Sequence, residues 1–178
     1  LSTFFKNIPS HLHSPLSHFL DRRWNMANRF AVFSHDLRTA DQLWSEKIWK
    51  EFIHRRCVNL ATVEDTCHIQ LGPNSRNVQE GNWALSITDA EGMVIFNMSF
   101  GFVPPNGLLI ASVQGSPSDS VDLRQSIKEI TKNCFGVRPQ ILLLYSMQYL
   151  CKLWNIQQIL LINPKNHIKV RWNWRRYR

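Results

Sequence analysis

Hydrophobic and polar positions alternate along the middle of the chain and follow a helical period on either side of it. Period-two segments rich in branched and aromatic residues predict four strands. These strands are CHIQL (67–71), WALSITD (83–89), MVIFNMSF (93–100) and LLIASVQG (108–115). Turn sequences, DAEG and PPNG, join the last three of them, so the simplest arrangement is an antiparallel meander.

Helical spacing precedes and follows the strands. Upstream, Thr39 is a helix-capping residue type, and we expect a helix from there to about Arg56. Downstream, an apolar stripe at intervals of four, three and four residues predicts a helix over 120–134, with a basic line on another face. The stripe consists of Leu123, Ile127, Ile130 and Cys134, and the basic line of Arg124, Lys128 and Lys132.

The segment after this helix is predicted to turn sharply into another. Gly136 is a typical helix stop and Pro139 a typical first helical residue. The following helix, 139–154, is apolar almost all round, so we expect it to be covered on several sides. QQILLIN (157–163) then predicts a short buried strand.

These elements predict an α+β fold with one mixed sheet. Residues 1–38 form an irregular or short-helical lead-in, and 39–178 a single α+β domain with a basic, Trp/Arg-rich C-terminal segment. The length of 178 residues suits one core.

Positive charge is concentrated at the end of the chain. The formal net charge is +8, and the last sixteen residues carry six Lys or Arg and no acid. Such a basic segment with interleaved aromatics suits RNA, an anionic lipid surface or an acidic face of its own domain. Its candidate binding residues are Arg171, Trp172, Trp174, Arg175 and Arg176, beside the basic helix line.

The four cysteines form no CxxC pair and no typical zinc spacing, and we expect no metal site. Cysteines in apolar segments are typical of reduced, buried thiols, which favours a cytoplasmic location. No apolar run approaches the roughly 20 residues that span a bilayer. Peripheral association with the inner membrane stays compatible with this pattern.

Three short segments could carry chemistry. Gly136, Val137 and Arg138 combine a helix N-terminus with a guanidinium, which could hold a phosphate or carboxylate; alternatively, Arg138 closes a structural ion pair, for example with Glu129. Gln114 and Gly115 end a strand, where ligands often bind, although a plain strand-to-helix turn has the same composition. His167 is a candidate general base, or an ordinary hydrogen-bonding histidine, because no nucleophile is placed beside it by sequence.

Several blocks in order resemble the VirK/YbjX family, also called DUF535. They are VQGSP (113–117), TK (131–132), FGVRP (135–139) and NPKNHIKVR (163–171), preceded by LDRRWNMANRFAVFSHD and LSITDAEGMVIFNMSF. Two departures are Gln140, where the family usually has lysine, and Ile168, where it usually has an aromatic residue. The resemblance covers roughly residues 18 to 171 and implies a bacterial virulence or envelope-stress factor without an established reaction.

Two functions from different classes fit these observations. The order of elements is similar to the core of GNAT-type acyltransferases, which implies acyl-CoA or an acyl carrier as ligand. Gly136, Val137 and Arg138 would then hold phosphate, Gln114 and Gly115 would line the acyl channel, and His167 would deprotonate the acceptor. The alternative is a non-enzymatic adaptor that binds RNA or an anionic membrane surface through its basic and aromatic residues.

Overall fold

The computed structural model describes residues 2–64, 67–116 and 121–169. Within them the chain has the predicted α+β fold, with six α-helices and a six-stranded mixed sheet. The helices are α1 (Ser2–Asn7), α2 (Ser10–Ser17), α3 (Met26–Leu43), α4 (Glu46–His54), α5 (Val121–Asn133) and α6 (Pro139–Leu153). The strands are β1 (Val58–Val63), β2 (Cys67–Pro73), β3 (Trp83–Asp89), β4 (Val94–Val103), β5 (Gly107–Gly115) and β6 (Gln158–Leu161).

Strand order in the sheet follows the chain, from β1 to β6. The first five strands pair antiparallel, which confirms the predicted meander, and the crossover through α5 and α6 places β6 parallel to β5. Strand β1 was not predicted, because its segment VNLATV alternates weakly and leaves its middle residues exposed.

One face of the sheet is apolar and forms the core. Leu71, Leu85, Met98 and Val113 lie side by side across β2 to β5. On this face the indole of Trp154, at the end of α6, contacts the rings of Phe100 and Phe102. Rings from the N-terminal helices gather around Trp83; they belong to Phe4, Trp44, Trp49 and Phe52.

A buried polar network fixes α3 to the sheet. The Asp36 carboxylate accepts hydrogen bonds from the Phe102 backbone N–H (2.6 Å), the Trp83 indole (2.9 Å) and the Asn82 amide (2.7 Å). Asn82 in turn accepts from Nδ1 of His11 in α2, at 3.1 Å. This chain of buried groups ties two N-terminal helices to β3 and β4.

One predicted helix differs from the structure in where it begins and in its continuity. The expected single helix from Thr39 is wrong, because Thr39 lies inside α3 and the chain breaks at Trp44 and Ser45 before α4. The Ser45 hydroxyl accepts from the Ile48 backbone N–H, and serine favours such a cap over a helix interior.

Two burial predictions were also wrong. Strand β6 exists as predicted, but all four of its residues are exposed, because it has a single neighbour, β5, and lies at the edge of the described sheet. Helix α6 buries only one side, through Leu143, Met147 and Leu150. Its other side exposes a stripe at intervals of four residues, namely Ile141, Tyr145, Tyr149 and Leu153.

Candidate functional site

The second face of the sheet is polar, and its polar side chains are in register. Gln70, Ser86, Asn97 and Gln114 are paired neighbours across β2, β3, β4 and β5. The Ser86 hydroxyl donates to the Asn97 carbonyl at 2.8 Å. An antiparallel sheet commonly leaves one face to water, but Asn97 is buried here, so this face is partly covered.

The loop between β2 and β3 folds over this face. Asn74, which is fully buried, donates from its amide to the carbonyls of Asn77 (2.7 Å) and Gly81 (3.0 Å) and so fixes the loop shape. Gly81 has φ of +117°, and a Cβ there would overlap the carbonyl oxygen of Phe100. The loop therefore needs glycine at this position, immediately after Glu80, to lie against β4.

Glu80 is the centre of a buried polar cluster on this face. Its carboxylate, 2% exposed, accepts from the Ser112 hydroxyl at 2.6 Å and from the Gln114 amide at 3.2 Å. The Lys169 ammonium lies 2.9 Å from Oε1, and Nε2 of His167 lies 3.3 Å from the same oxygen. Two of the predicted site residues, Gln114 and His167, are thus brought together by a carboxylate that the sequence analysis did not single out.

The partners of Glu80 keep it ionised. Burial alone would raise the pKa of this carboxyl, because a charge is poorly solvated there. Hydrogen bonds from His167, Ser112 and Lys169, together with the positive charge of Lys169, outweigh burial and lower the pKa to about 2. A carboxylate with so low a pKa is a poor general base near neutrality, so the cluster orders the chain rather than accepting a proton.

His167 is held from both sides. It follows a 3₁₀ turn (Pro164–Asn166), and its backbone forms a bridge with Asp21. Its Nδ1 accepts the backbone N–H of Lys169 at 3.2 Å while Nε2 faces Glu80. Both ring nitrogens thus have a partner within the protein, and the predicted general-base role of His167 stays a prediction.

Strand β5 extends beyond the end of its parallel neighbour β6. Their parallel pairing extends from Gly107–Gln158 to Ile110–Leu161, and β5 continues to Gly115 without β6. A Cβ at Gly115 would make ordinary contact with the Phe96 ring. Gln114 and Gly115 therefore lie in the part of β5 that extends past β6, and the predicted acyl-channel role stays a prediction.

The turn between α5 and α6 contains the predicted anion-binding residues. Gly136 has φ of +84° and its N–H bonds the Thr131 carbonyl, as expected of a helix stop, while the N–H of Val137 bonds the Cys134 carbonyl. Arg138 precedes α6 as its N-cap and is exposed. Within the described residues its guanidinium has no ion pair or hydrogen bond, and no hydrogen bond joins this turn to the Glu80 cluster.

The same turn carries an exposed phenylalanine that the sequence analysis missed. Phe135 is 97% exposed and has φ of +53°, a left-handed conformation that is uncommon for a bulky residue. Along the chain it lies between Lys132 and Arg138, and both of these are exposed. We call residues 132–138 the α5–α6 corner.

The predicted basic line of α5 is exposed throughout: Arg124, Lys128 and Lys132 all face solvent, and Leu123 and Ile130 on the opposite side are buried. The remaining predicted binding residues lie outside the described part of the chain. They are Arg171, Trp172, Trp174, Arg175 and Arg176.

The sequence offered unequal signals for these residues. Ser112 and Gln114 alternate with apolar neighbours in β5, so their shared face was readable from a period of two. Glu80 gave no signal, because nothing in a polar loop says which residue will be buried. Lys169 resembled an ordinary member of a basic segment.

Comparison with known proteins identifies the family. The sequence model of the family described as "Protein of unknown function (DUF535)" matches residues 1–178. The chain belongs to the DUF535 family. The resemblance found in its motifs is thereby confirmed.

Curated relatives of the family are distant and longer. An "Uncharacterized protein" of Haemophilus influenzae is 26% identical over 144 residues, covering 81% of this chain and 49% of its own length. The "Membrane protein LapB" of Mannheimia haemolytica is 26% identical over 155 residues, covering 85% of this chain and 65% of its own. A second H. influenzae "Uncharacterized protein" is 27% identical over 157 residues, covering 86% and 51%. The chain thus spans about half to two thirds of the length of these relatives.

No solved structure significantly matches the chain. Among the described residues, no helix combines the length and apolarity required to cross a bilayer. Virulence, envelope stress and acyl transfer, which the family and fold resemblances imply, stay predictions.

Proposed function

We propose that this DUF535 protein binds the surface of an anionic membrane peripherally, through the α5–α6 corner. The observation that carries the proposal is Phe135, 97% exposed at the tip of a turn. Because almost all of the Phe135 side chain is in water, it gains little packing energy from the protein around it. It gains free energy if it enters a lipid interface.

Charge around Phe135 suits the same surface. Lys132 and Arg138 flank it along the chain, and Arg124 and Lys128 extend the positive line up α5. Each Lys or Arg near an anionic leaflet is worth about 1 kcal/mol. An apolar tip with a basic surround is the combination that interfacial binding requires, because neither contribution alone is strong.

Helix α6 adds aromatic residues of the type found at membrane interfaces. Tyr145 and Tyr149 are exposed, one helical turn apart, on the side that leaves the core. Tyrosine is enriched at the headgroup level because its ring is apolar and its hydroxyl is wet. The name "Membrane protein LapB" of one relative agrees with a membrane-associated role.

The test is sedimentation of the full chain with vesicles of phosphatidylcholine alone or mixed with phosphatidylglycerol, at low and high salt. We expect binding to the mixed vesicles only, weakened by salt. Phe135→Ala should weaken it roughly tenfold, since part of a Phe side chain leaves the apolar phase. Phe30→Ala is the control, because Phe30 is an exposed phenylalanine on α3 and does not belong to the α5–α6 corner.

Lys132→Gln and Arg138→Gln should each weaken binding about fivefold and lower the salt dependence. RNA is the competing partner for the same residues. If the chain binds a single-stranded RNA more tightly than anionic vesicles, its partner is RNA and not a membrane. Equal binding by wild type and Phe135→Ala would refute the proposal.

A second candidate function rests on the part of β5 that extends past the end of β6. Gln114 and Gly115 lie in this part, where β6 does not pair with β5, and the acyltransferase hypothesis places the acyl-thioester arm of an acyl-CoA-type ligand beside them. Calorimetric titration with acyl-CoA tests it directly. Absence of heat at millimolar ligand would end it.

A further inference from the structure

A cleft on the polar face of the sheet lies between two arginines. It has a volume of about 180 Å³ and is lined by Arg56 and Arg76, with Gln70, Ser86 and Asn97 among the strand residues beneath. This volume is below the roughly 300–1,000 Å³ of pockets that enclose drug-sized ligands, so any occupant is small.

The hollow arises from small residues in adjacent strands. Gly72 in β2 pairs with Ala84 in β3, and both line the cleft. A Cβ at Gly72 would overlap the carbonyl oxygen of Arg56, so glycine lets the Arg56 backbone lie close to β2. Arg56 itself has φ of +65°, which turns the chain from α4 into β1 at the rim of the cleft.

Each arginine is anchored but keeps donors free. Nη2 of Arg56 donates to the Asn7 carbonyl at 3.1 Å, and Nη2 of Arg76 donates to the Val94 carbonyl at 3.5 Å. A guanidinium has five N–H donors, so these contacts fix the side chains without exhausting them. Both residues are exposed, and they therefore pay little desolvation when they meet a ligand.

The remaining lining supplies further donors. Within the described residues, the side chains of Gln70 and Ser75 have no hydrogen-bond partner, whereas Ser86 and Asn97 are engaged with each other. Among the residues that the structure describes, no aspartate or glutamate lines the cleft. The Glu80 carboxylate accepts from Gln114 at the other end of the polar row, and the Lys169 ammonium at 2.9 Å compensates its charge.

We infer that this cleft binds a small phosphomonoester. Two guanidinium charges match the −1.5 to −2 that a phosphomonoester carries at neutral pH. Its three terminal oxygens accept hydrogen bonds, and the lining of the cleft supplies guanidinium, amide and hydroxyl donors from Arg56, Arg76, Gln70 and Ser75. A carboxylate offers two oxygens in one plane, which is fewer than this set of donors can use.

The test is calorimetric titration of the full chain with glycerol 3-phosphate up to tens of millimolar, with glycerol as the uncharged reference. We expect binding of the phosphate compound only. Arg56→Gln and Arg76→Gln should each weaken it roughly tenfold or more, because each removes charge-assisted hydrogen bonds. Arg38→Gln, which lowers the net charge equally at an exposed position of α3 outside the cleft, should leave the affinity unchanged.

Loss of the Asn7 contact could unfold the Arg56 variant, so Gln70→Glu is the second variant. It removes no hydrogen bond among the described residues and places a negative charge at the floor of the cleft. It should abolish binding while the unfolding temperature without ligand stays within a few degrees of wild type.

Two further arms decide the source and specificity of the phosphate. Vesicles carrying phosphatidic acid present the same group on a lipid. Binding to these vesicles that Gln70→Glu abolishes, with no binding of glycerol 3-phosphate to wild type, would show that the cleft takes a lipid and would overturn the inference of a small free ligand. Inorganic phosphate that binds wild type, Gln70→Glu and both arginine variants equally would show an adventitious ion only and would also overturn the inference. Because Phe135 and Lys132 do not line the cleft, the titration with glycerol 3-phosphate is independent of the membrane experiment.

Discussion

The pKa values of two buried carboxyl groups in this protein are shifted in opposite directions. Asp36, which is fully buried, accepts three hydrogen bonds from neutral donors, and burial still raises its pKa to about 7. Glu80 is almost as buried, but Lys169 and His167 approach it, and its pKa falls to about 2. Neutral donors only partly offset the lost hydration of a charge, whereas an opposite charge at hydrogen-bond distance can exceed it.

The largest expected effect is the dependence of the unfolding free energy on pH through Asp36. Its folded pKa is raised from 3.8 to about 7, so its contribution to stability is full below the unfolded pKa and is lost as pH rises through 7. The unfolding free energy should therefore fall between pH 4 and pH 7, by something on the order of 4 kcal/mol from this group. Urea unfolding across this range measures it.

Asp36→Asn should flatten that dependence, because an amide does not titrate. Asp41→Asn, an exposed aspartate on the same helix, is the control and should retain the wild-type slope. A wild-type curve already flat between pH 4 and 7 would contradict the raised pKa of Asp36.

Glu80 should show the reverse dependence on pH. Its folded pKa is lowered from 4.5 to about 2, so its contribution is present above the unfolded pKa and is lost as pH falls from 4.5 towards 2. Glu80→Gln should lower the unfolding free energy at pH 7 by about 3 kcal/mol, since it breaks a buried charged cluster. We expect a steep fall in wild-type stability below pH 4.5, and this variant should lose it.

The matched control is Glu91→Gln in the exposed β3–β4 turn, which should change stability little. A Glu80→Gln protein as stable as this control would show that the cluster contributes nothing measurable.

The smallest expected effect tests the cause of the difference. Lys169→Gln removes the cation nearest Glu80 and leaves neutral donors, which makes Glu80 resemble Asp36. Because the Lys169 side chain is 53% exposed and therefore screened by water, the loss should be about 1 kcal/mol, with acid unfolding shifted to higher pH. Lys165→Gln, an exposed neighbour, should leave the acid midpoint in place, and an equal shift in both variants would assign the effect to net charge alone.

Local patterns predicted most of the secondary structure. Strands β2 to β5 follow from alternation, and α5 and α6 follow from helical spacing with Gly136 and Pro139 between them. These signals are reliable because each depends on residues close together in the chain. The break at Trp44 and Ser45 was missed because a buried tryptophan continues the apolar pattern across it.

The burial of each segment was harder to predict from the sequence than its secondary structure. The apolar composition of β6 predicted a covered strand, yet its position at the edge of the described sheet leaves Leu161 exposed. The apolar composition of α6 likewise predicted a covered helix, yet Tyr145 and Tyr149 are exposed. Composition states what a segment could bury, and only its neighbours in space determine whether it does.

By itself, the sequence determined the α+β class, the antiparallel meander, the turn that joins α5 to α6, and the family of this protein. The tertiary structure decided which charges meet. Glu80 lies 87 residues from His167 along the chain, and no periodicity relates them, because the partner of a buried charge is chosen by chain folding. The same reason applies to Arg56 and Arg76, whose shared cleft exists only once β2 and β3 pair and the loop between them folds back.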